Sequence, residues 1–209
     1  MTADRRVVFV VDDDARVRRA LASLLASAGL DVAVFASATE FLNADKPDAA
    51  ACLVLDLELP DIHGLELQKE LAEREAPPIV FITGHGDIPS SVKAMKAGAV
   101  EFLAKPFDDD DLLRAIDVAI ALDRAERLKR SDRSALQGRF DRLTPREREV
   151  LTFVVAGFAN KQTASELGTS EITIGVHRGQ IMRKIGARSL AELVRLADKV
   201  GITPHPTAK

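Results

Sequence analysis

Five short apolar runs, separated by helix-like segments, constrain the fold of the first part of this chain more than any other feature. Each run is continuously hydrophobic rather than alternating, which is typical of strands covered on both faces. Regular alternation of strands with helices predicts a doubly wound, five-stranded parallel α/β sheet. The runs occupy residues 7–11, 32–35, 51–55, 78–82 and 100–103.

From about residue 140 the strand signals stop. In LTPREREVL, Thr144, Pro145 and Glu147 form the pattern of a helix N-terminus with a capping box. Three further helix-like segments, NKQTASELG, SEITIGVHRGQIMRKIG and SLAELVRLADKVG, predict a small four-helix domain. The charged stretch between the two regions predicts a polar helical linker, with a disordered tether as the alternative. The expected organisation is a domain at 1–122, a linker at 123–139 and a second domain at 140–209.

Charge divides the chain in a similar way. Residues 1–139 carry 18 basic and 25 acidic side chains, a net charge of −7, whereas residues 140–209 carry 11 basic and 7 acidic ones, a net charge of +4. This asymmetry indicates that only the second domain meets nucleic acid. No apolar run approaches the length of a membrane span, so we expect a cytoplasmic protein without membrane contact. The single cysteine, Cys52, lies in an apolar run and is expected to be a buried, inert thiol.

Polar residues mark the ends of four predicted strands. Because ligands bind at the carboxyl ends of strands in open α/β sheets, these residues predict a site. The carboxylates of Asp12, Asp13 and Asp56 repel one another unless a cation joins them, and Mg²⁺ prefers such oxygen ligands. Asp14 is expected to open the following helix. The strand-end residues are Asp12, Asp56, Thr83 and Lys105.

These segments resemble the receiver domain of two-component response regulators over about residues 5–122. The resemblance rests on four motifs in order: VVDDD with VRRAL, LVLDLELPDIHGLEL, FITGHGD and FLAKPF. It implies a flavodoxin-like fold in which Asp56 accepts a phosphoryl group from a sensor histidine kinase. It also implies a Mg²⁺ site made by Asp12, Asp13, Asp56 and the backbone carbonyl of Glu58, with Asp12 acting mainly through bound water.

The same resemblance implies a conformational switch. Thr83 is expected to hydrogen-bond one phosphoryl oxygen and Lys105 to pair with another, after a cis Lys105–Pro106 peptide bond. Phe102 is expected to turn inward when Thr83 is drawn to the phosphoryl group. The face made by about residues 88–121 is expected to dimerise on phosphorylation. His85 and Asp87 are expected to be loop residues.

The second domain resembles the LuxR-type helix-turn-helix of FixJ/NarL-type regulators, across about residues 140–201. The resemblance implies a first helix at 160–167, a turn at 168–170 and a DNA-recognition helix at 171–185. Ile174, Ile181 and Ile185 are expected to form the buried stripe of that recognition helix. The residues expected to contact DNA are Lys161, Thr169, Ser170, Thr173, Gly175, Val176, His177, Arg178, Gly179 and Arg183.

Two features of this domain leave alternatives open. Gly175 and Gly179 predict either close approach of the helix to DNA, with Val176 touching a thymine methyl, or relaxed base readout that relies on phosphates and DNA shape. The last helix offers either a dimer seam or core packing. The residues of the last helix to which these two alternatives apply are Leu190, Leu193, Val194 and Ala197.

Together these features predict a DNA-binding response regulator, not an enzyme in the usual sense. Phosphorylation is expected to promote dimerisation and binding to promoter DNA, where the protein activates transcription with RNA polymerase as a partner. One alternative is an aspartyl-phosphate phosphatase, because Glu58 stands two residues after Asp56, but Pro60 occupies the position of the threonine that such enzymes need. The other alternative is a regulator that keeps this scaffold without being phosphorylated.

Overall fold

The computed structural model describes residues 5–84 and 88–206. The expectation for His85 and Asp87 lies outside these residues. The chain divides into two compact units, Met1–Arg127 and Leu128–Lys209. Helix α5 (Asp109–Asp141) contributes its first part to unit 1 and its last part to unit 2.

Unit 1 is built around five parallel strands in the order β2-β1-β3-β4-β5. The five strands overlap the five apolar runs, and each boundary differs from its run by one residue at most, so the predicted doubly wound sheet is confirmed. The elements before α5 are β1 (Arg6–Val11), α1 (Ala15–Ser27), β2 (Asp31–Phe35), α2 (Ala38–Asn43), β3 (Ala50–Asp56), α3 (Gly64–Ala72), β4 (Ile79–Thr83), α4 (Ile88–Lys96) and β5 (Glu101–Ala104).

Alternate residues of each strand supply two hydrophobic cores, one on each face of the sheet. Along β1, Val7 and Phe9 belong to the core under α2, α3 and α4, whereas Val8 and Val10 belong to the core under α1 and α5. Covering both faces buries nearly all residues of the central strands β1, β3 and β4, whereas the edge strands β2 and β5 stay partly exposed. Burial on both faces explains why the central strands read as continuous hydrophobic runs. The polar groups at the strand ends are therefore the part of the sheet left to bind a ligand.

A buried carboxylate joins α5 to the beginning of β3. Asp123, 5% exposed, accepts a hydrogen bond from the backbone N–H of Ala51 at 2.9 Å and another from Nε of Arg127 at 2.9 Å. Arg127 also pairs with the exposed Asp48. Cys52 lies close by in β3, and burial, with a smaller effect from the charge of Asp123, raises the pKa of its thiol. The structure thus agrees with an inert thiol at Cys52.

Unit 2 contains the end of α5 and four further helices around its own core. Those helices are α6 (Pro145–Val155), α7 (Asn160–Glu166), α8 (Glu171–Ile185) and α9 (Leu190–Lys199). The predicted capping box is present, since Glu147 N donates to Thr144 Oγ1 and Thr144 N donates to Glu147 Oε2. Lys184 Nζ donates to the same carboxylate at 2.6 Å, so Glu147 ties the start of α6 to the last turn of α8.

Candidate functional site

Three carboxylates meet at the carboxyl edge of the sheet. Asp12 and Asp13 follow β1 directly, and Asp56 is the last residue of β3, the strand paired with β1. One carboxylate oxygen from each of these residues lies within 4.8 Å of the others. Asp12 is fully buried and Asp56 is 6% exposed, while Asp13 is open to solvent. The strand register therefore brings together the three acids that the sequence places far apart.

Lys105 supplies the positive charge of this edge. It follows β5, and its Nζ donates hydrogen bonds of 2.7 Å both to Asp12 Oδ2 and to Asp56 Oδ2. Burial alone lowers the pKa of Lys105, but the two carboxylates outweigh burial and raise it. Burial raises the pKa of Asp12, against the opposing effects of Lys105 and of the Asp14 N–H. The ammonium and two of the acids therefore form one ionic group.

The remaining strand-end residues of the prediction lie on β4 and β5. Thr83 is the fully buried last residue of β4, and its carbonyl accepts a hydrogen bond from Lys105 N at 2.7 Å. Phe102 in β5 is half-buried, with its ring centroid 6.0 Å from that of Phe81. The Lys105–Pro106 peptide bond is cis, as the resemblance implies.

The loop after β1 is held by interactions that the sequence analysis only partly foresees. Asp14 caps α1 as expected, with its side chain accepting from Arg16 N. Asp12 Oδ1 accepts from Asp14 N at 2.8 Å. Arg18, which the sequence analysis misses, donates through one guanidinium nitrogen to the carbonyls of Asp12 and Asp13. Its only sequence signal is a basic residue one helical turn after the cap, and that pattern is common on solvated helices.

The loop after β3 closes tightly around Asp56. Glu58 N donates to Asp56 Oδ1 at 3.2 Å, and Gly64 N donates to Leu57 O at 2.8 Å. A Cβ at Gly64 would lie only 2.8 Å from the carbonyl oxygen of Asp56, so only glycine fits there without displacing the backbone. Asp61 fastens the same loop to the start of α2 by accepting from Ala38 N, Thr39 N and Thr39 Oγ1.

This donor set fits a hard cation. Three carboxylates on one edge supply oxygen ligands, and one of them, Asp13, is open to solvent for exchange of water. Lys105 binds Oδ2 of both Asp12 and Asp56. The Oδ1 atoms of the same two residues accept instead from the backbone N–H groups of Asp14 and Glu58. The edge can therefore balance its acids with an ammonium and a divalent ion together.

In unit 2, the helix predicted at 171–185 is present as α8 with the same bounds. Ile174, Ile181 and Ile185 are buried, as expected. At 100° per residue, the side opposite this stripe carries Val176, Gly179 and Arg183, together with a residue that the sequence analysis does not single out, Ile172.

The structure places the other candidate DNA contacts around the start and the flanks of α8. Ser170 is the N-cap, accepting from Thr173 N at 3.1 Å, and Lys161 is exposed on α7. Arg178 is half-buried and donates to Phe158 O at 3.3 Å. Thr169, Gly175 and His177 are also half-buried. Arg178 is thus held by its own unit, unlike the exposed Lys161.

The four residues of α9 for which a dimer seam or core packing is expected differ in burial. Leu193 and Ala197 are buried in the core of unit 2, whereas Leu190 and Val194 are 41% and 37% exposed. Core packing therefore accounts for the first pair of residues and leaves the second pair on the surface.

Comparisons with known protein families assign both units. The response regulator receiver domain matches residues 8–117, about half of the chain, and the luxR family of bacterial regulatory proteins matches residues 141–197. This chain belongs to the response regulators. It is a DNA-binding response regulator of a two-component system, with a receiver domain that implies a histidine kinase partner and a LuxR-type helix-turn-helix that implies DNA binding.

Similar response regulators share both parts over nearly their full length. Nodulation protein W of Bradyrhizobium diazoefficiens is 48% identical over 204 residues, covering 97% of this chain and 90% of that protein. The transcriptional regulatory protein FixJ of Azorhizobium caulinodans is 44% identical and covers 96% of each chain. Among solved structures, the response regulator StyR, 48% identical, matches 94% of this chain and all of its own with a TM-score of 0.80.

From the sequence, no helix long and apolar enough to span a membrane is expected. In the part of the chain that the structure describes, every helix is too short or too polar to cross a membrane.

Proposed function

We propose that Asp56 is the phosphoacceptor of this response regulator and takes its phosphoryl group from the histidine of a sensor kinase. The observation that carries the proposal is the convergence of Asp12, Asp13 and Asp56 within 4.8 Å, with Lys105 bound to two of the three. An anion added to a carboxylate needs nearby positive charge. This edge can supply that charge as the ammonium of Lys105 and as a bound divalent cation.

The chemistry of the transfer follows from the arrangement. An oxygen of Asp56 attacks phosphorus, the bond from phosphorus to the kinase histidine breaks, and the imidazole leaves. Bound Mg²⁺ supplies charge neutralisation for the phosphoryl oxygens. We assign its ligands as Asp12, Asp13, Asp56 and the Glu58 carbonyl, with Asp12 acting mainly through water. The ammonium of Lys105, already 2.7 Å from Asp56 Oδ2, pairs with a phosphoryl oxygen.

The signal leaves the site through Thr83 and Phe102. Phosphorylation adds about −1.5 to −2 of charge and strong acceptor oxygens. The Thr83 hydroxyl hydrogen-bonds one of these oxygens, and Phe102 moves inward from its half-buried position. Thr83 lies on β4 and Phe102 on β5, and these neighbouring strands pair through Thr83 and Ala104. A displacement of the end of β4 is therefore expected to displace β5 as well.

We assign dimerisation on phosphorylation to the face made by α4, β5 and the start of α5. Several large apolar side chains on this face are exposed, which is typical of an interaction surface. They are Ile88, Val92, Met95 and Val118. The dimer binds promoter DNA through two copies of α8 and activates transcription with RNA polymerase. Functionally, we divide the chain into a receiver at 1–122, a linker at 123–139 and a DNA-binding domain at 140–209.

Acetyl phosphate with Mg²⁺, followed by intact-mass measurement, tests the phosphoacceptor. The wild type is expected to gain the mass of one phosphoryl group, and Asp56→Asn is expected to gain none. Asp45→Asn, which changes an exposed aspartate elsewhere in the receiver, is the matched control and keeps the adduct. A wild type without an adduct, or an adduct retained by Asp56→Asn, contradicts the assignment.

The coupling to DNA is tested with beryllofluoride, which mimics the phosphoryl group. Addition of beryllofluoride and Mg²⁺ is expected to double the mass of the protein in solution and to raise its affinity for DNA. If neither quantity changes, the proposed switch is wrong even if Asp56 is phosphorylated.

A further inference from the structure

The outer face of α8 is unusually apolar for a helix that meets DNA. Ile172 is 82% exposed and Val176 is 58% exposed, and the two are one helical turn apart on the same face. Both lie opposite the buried stripe of Ile174, Ile181 and Ile185. Neither side chain therefore contributes its apolar surface to the core of unit 2. Exposed aliphatic neighbours of this kind are typical of a surface that a partner covers.

Two positions of α8 beside these side chains carry glycine, although no packing contact within the described part of unit 2 requires a residue that small. A Cβ at Gly179 would meet no described atom within 4 Å, and one at Gly175 would meet only Asn160 Nδ2, at 3.7 Å. Both glycines have ordinary negative φ angles, so the backbone does not require them either. Glycine is a poor helix former. Packing within this unit therefore leaves them unexplained, and their effect is to leave the side chains of Ile172 and Val176 without a bulky neighbour at these two positions.

Charge indicates what covers the face. Arg183 continues the line of Ile172 and Val176 along the helix and is exposed, and residues 140–209 carry a net charge of +4. A cationic border suits the phosphates that line a groove of duplex DNA. The family match at residues 141–197 assigns DNA binding to the domain that contains this helix.

Chemistry then limits what the aliphatic pair can recognise. Isoleucine and valine side chains neither donate nor accept hydrogen bonds, so they cannot read the donors and acceptors of base edges. The C5-methyl group of thymine is the apolar group that the major groove presents.

We propose that Ile172 and Val176 are specificity-determining residues that read thymine C5-methyl groups in the major groove. The inference rests on the proposed docking of α8 in DNA. It goes beyond that docking by naming the residues and the chemical group that they recognise, and it favours close approach over relaxed readout at this helix.

The test replaces thymine by uracil, which removes only the methyl group. Sites are first selected from random DNA duplexes with the full chain activated by beryllofluoride and Mg²⁺. Each thymine of the selected half-site is then replaced singly by uracil, and Kd is measured. Wild-type protein is expected to lose roughly fourfold in affinity for each methyl group that it buries. Uracil outside the half-site is the control and is expected to have no effect.

Alanine variants assign the effect to the two side chains. Each alanine variant, Ile172→Ala or Val176→Ala, is expected to lose the difference in affinity between thymine and uracil at one position, the one that its missing side chain contacts. At the position contacted by the other side chain, the same variant is expected to keep that difference. Both residues are exposed, so far-UV circular dichroism is expected to match the wild type. Arg183→Ala serves as a comparison, because loss of a phosphate contact weakens binding to all sequences and leaves the uracil effect intact.

The possible failures are distinct. If the selection retains no DNA, both the proposed docking and this inference are overturned. If DNA is retained and Arg183→Ala weakens binding, but every uracil substitution is silent, the docking stands and the methyl readout is overturned. If the alanine variants instead raise the DNA affinity of the unactivated protein without changing the uracil response, the pair covers another part of the chain, and the inference is likewise overturned.

Discussion

Replacement of Asp123 by leucine tests whether the buried carboxylate secures β3, the strand that ends at Asp56. In the structure Asp123 accepts from Ala51 N and from Arg127 Nε, each at 2.9 Å. Leucine branches at the same carbon atom but is larger and has no acceptor. The Ala51 N–H is buried, and a buried donor left without a partner costs about 1–3 kcal/mol. Loss of the charged interaction with Arg127 adds about 1 kcal/mol, because the guanidinium is one-third exposed and can turn to water.

We therefore expect Asp123→Leu to lower the free energy of unfolding of the receiver by about 2–4 kcal/mol. Asp123→Asn keeps a carbonyl that can accept from Ala51 N, so about half of that loss is expected. Asp48→Ala is the matched control. It removes the other acid that pairs with Arg127, but this acid is almost fully exposed, so a change below about 0.5 kcal/mol is expected.

Hydrogen exchange measured by mass spectrometry suits this protein, because the chain contains neither tryptophan nor tyrosine for fluorescence. Peptides covering β3 report the opening of Ala51 directly. A loss of 2 kcal/mol accelerates their exchange roughly thirtyfold when opening is at equilibrium. If Asp123→Leu exchanges within threefold of the wild type, or if Asp48→Ala matches it, the carboxylate does not act as argued.

Three further predictions concern other parts of the chain. Burial tends to raise the pKa of Glu147, but the hydrogen bonds from Lys184 and Thr144 outweigh it and hold the pKa below its ordinary value. Unit 2 is therefore expected to lose stability in thermal melts as the pH falls from about 4.3, the unfolded value, through the folded pKa, and Lys184→Met is expected to flatten this dependence. Asp61→Ala is expected to destabilise the receiver by about 1 kcal/mol in urea unfolding, as for a lost helix cap, because α2 loses an acceptor at its first turn. Gly179→Ala is expected to raise the melting temperature of unit 2 by an amount equivalent to about 1 kcal/mol, since a methyl group there meets no described atom within 4 Å; an unchanged or lower value contradicts this.

The sheet and the convergence of its acids follow from the sequence for a local reason. Strands covered on both faces leave a continuous hydrophobic signature, and the carboxyl ends of parallel strands meet at one edge. Asp12 and Asp56 can therefore be placed together although 44 positions separate their numbers in the chain. The capping box of Thr144 and Glu147 is similarly local, and it forms as expected.

The contacts that the sequence does not reveal are those between distant segments. Asp123 stands in a charged stretch that resembles a solvated linker, yet its partner Ala51 is 72 residues away. Arg18 likewise resembles an ordinary surface cation until the loop after β1 folds back on it. Ile172 shows the reverse, because an isoleucine in a helix suggests burial, whereas its angular position faces it outward.

Gly64 packs directly against the backbone of Asp56, the proposed phosphoacceptor. The first residue of α3 leaves too little space for one carbon atom beside the carbonyl of Asp56. This close approach, together with the 2.8 Å hydrogen bond from Gly64 N to Leu57 O, joins the start of α3 to the end of β3. A displacement of α3 would therefore act directly on the backbone of Asp56, the residue that we propose carries the phosphoryl group.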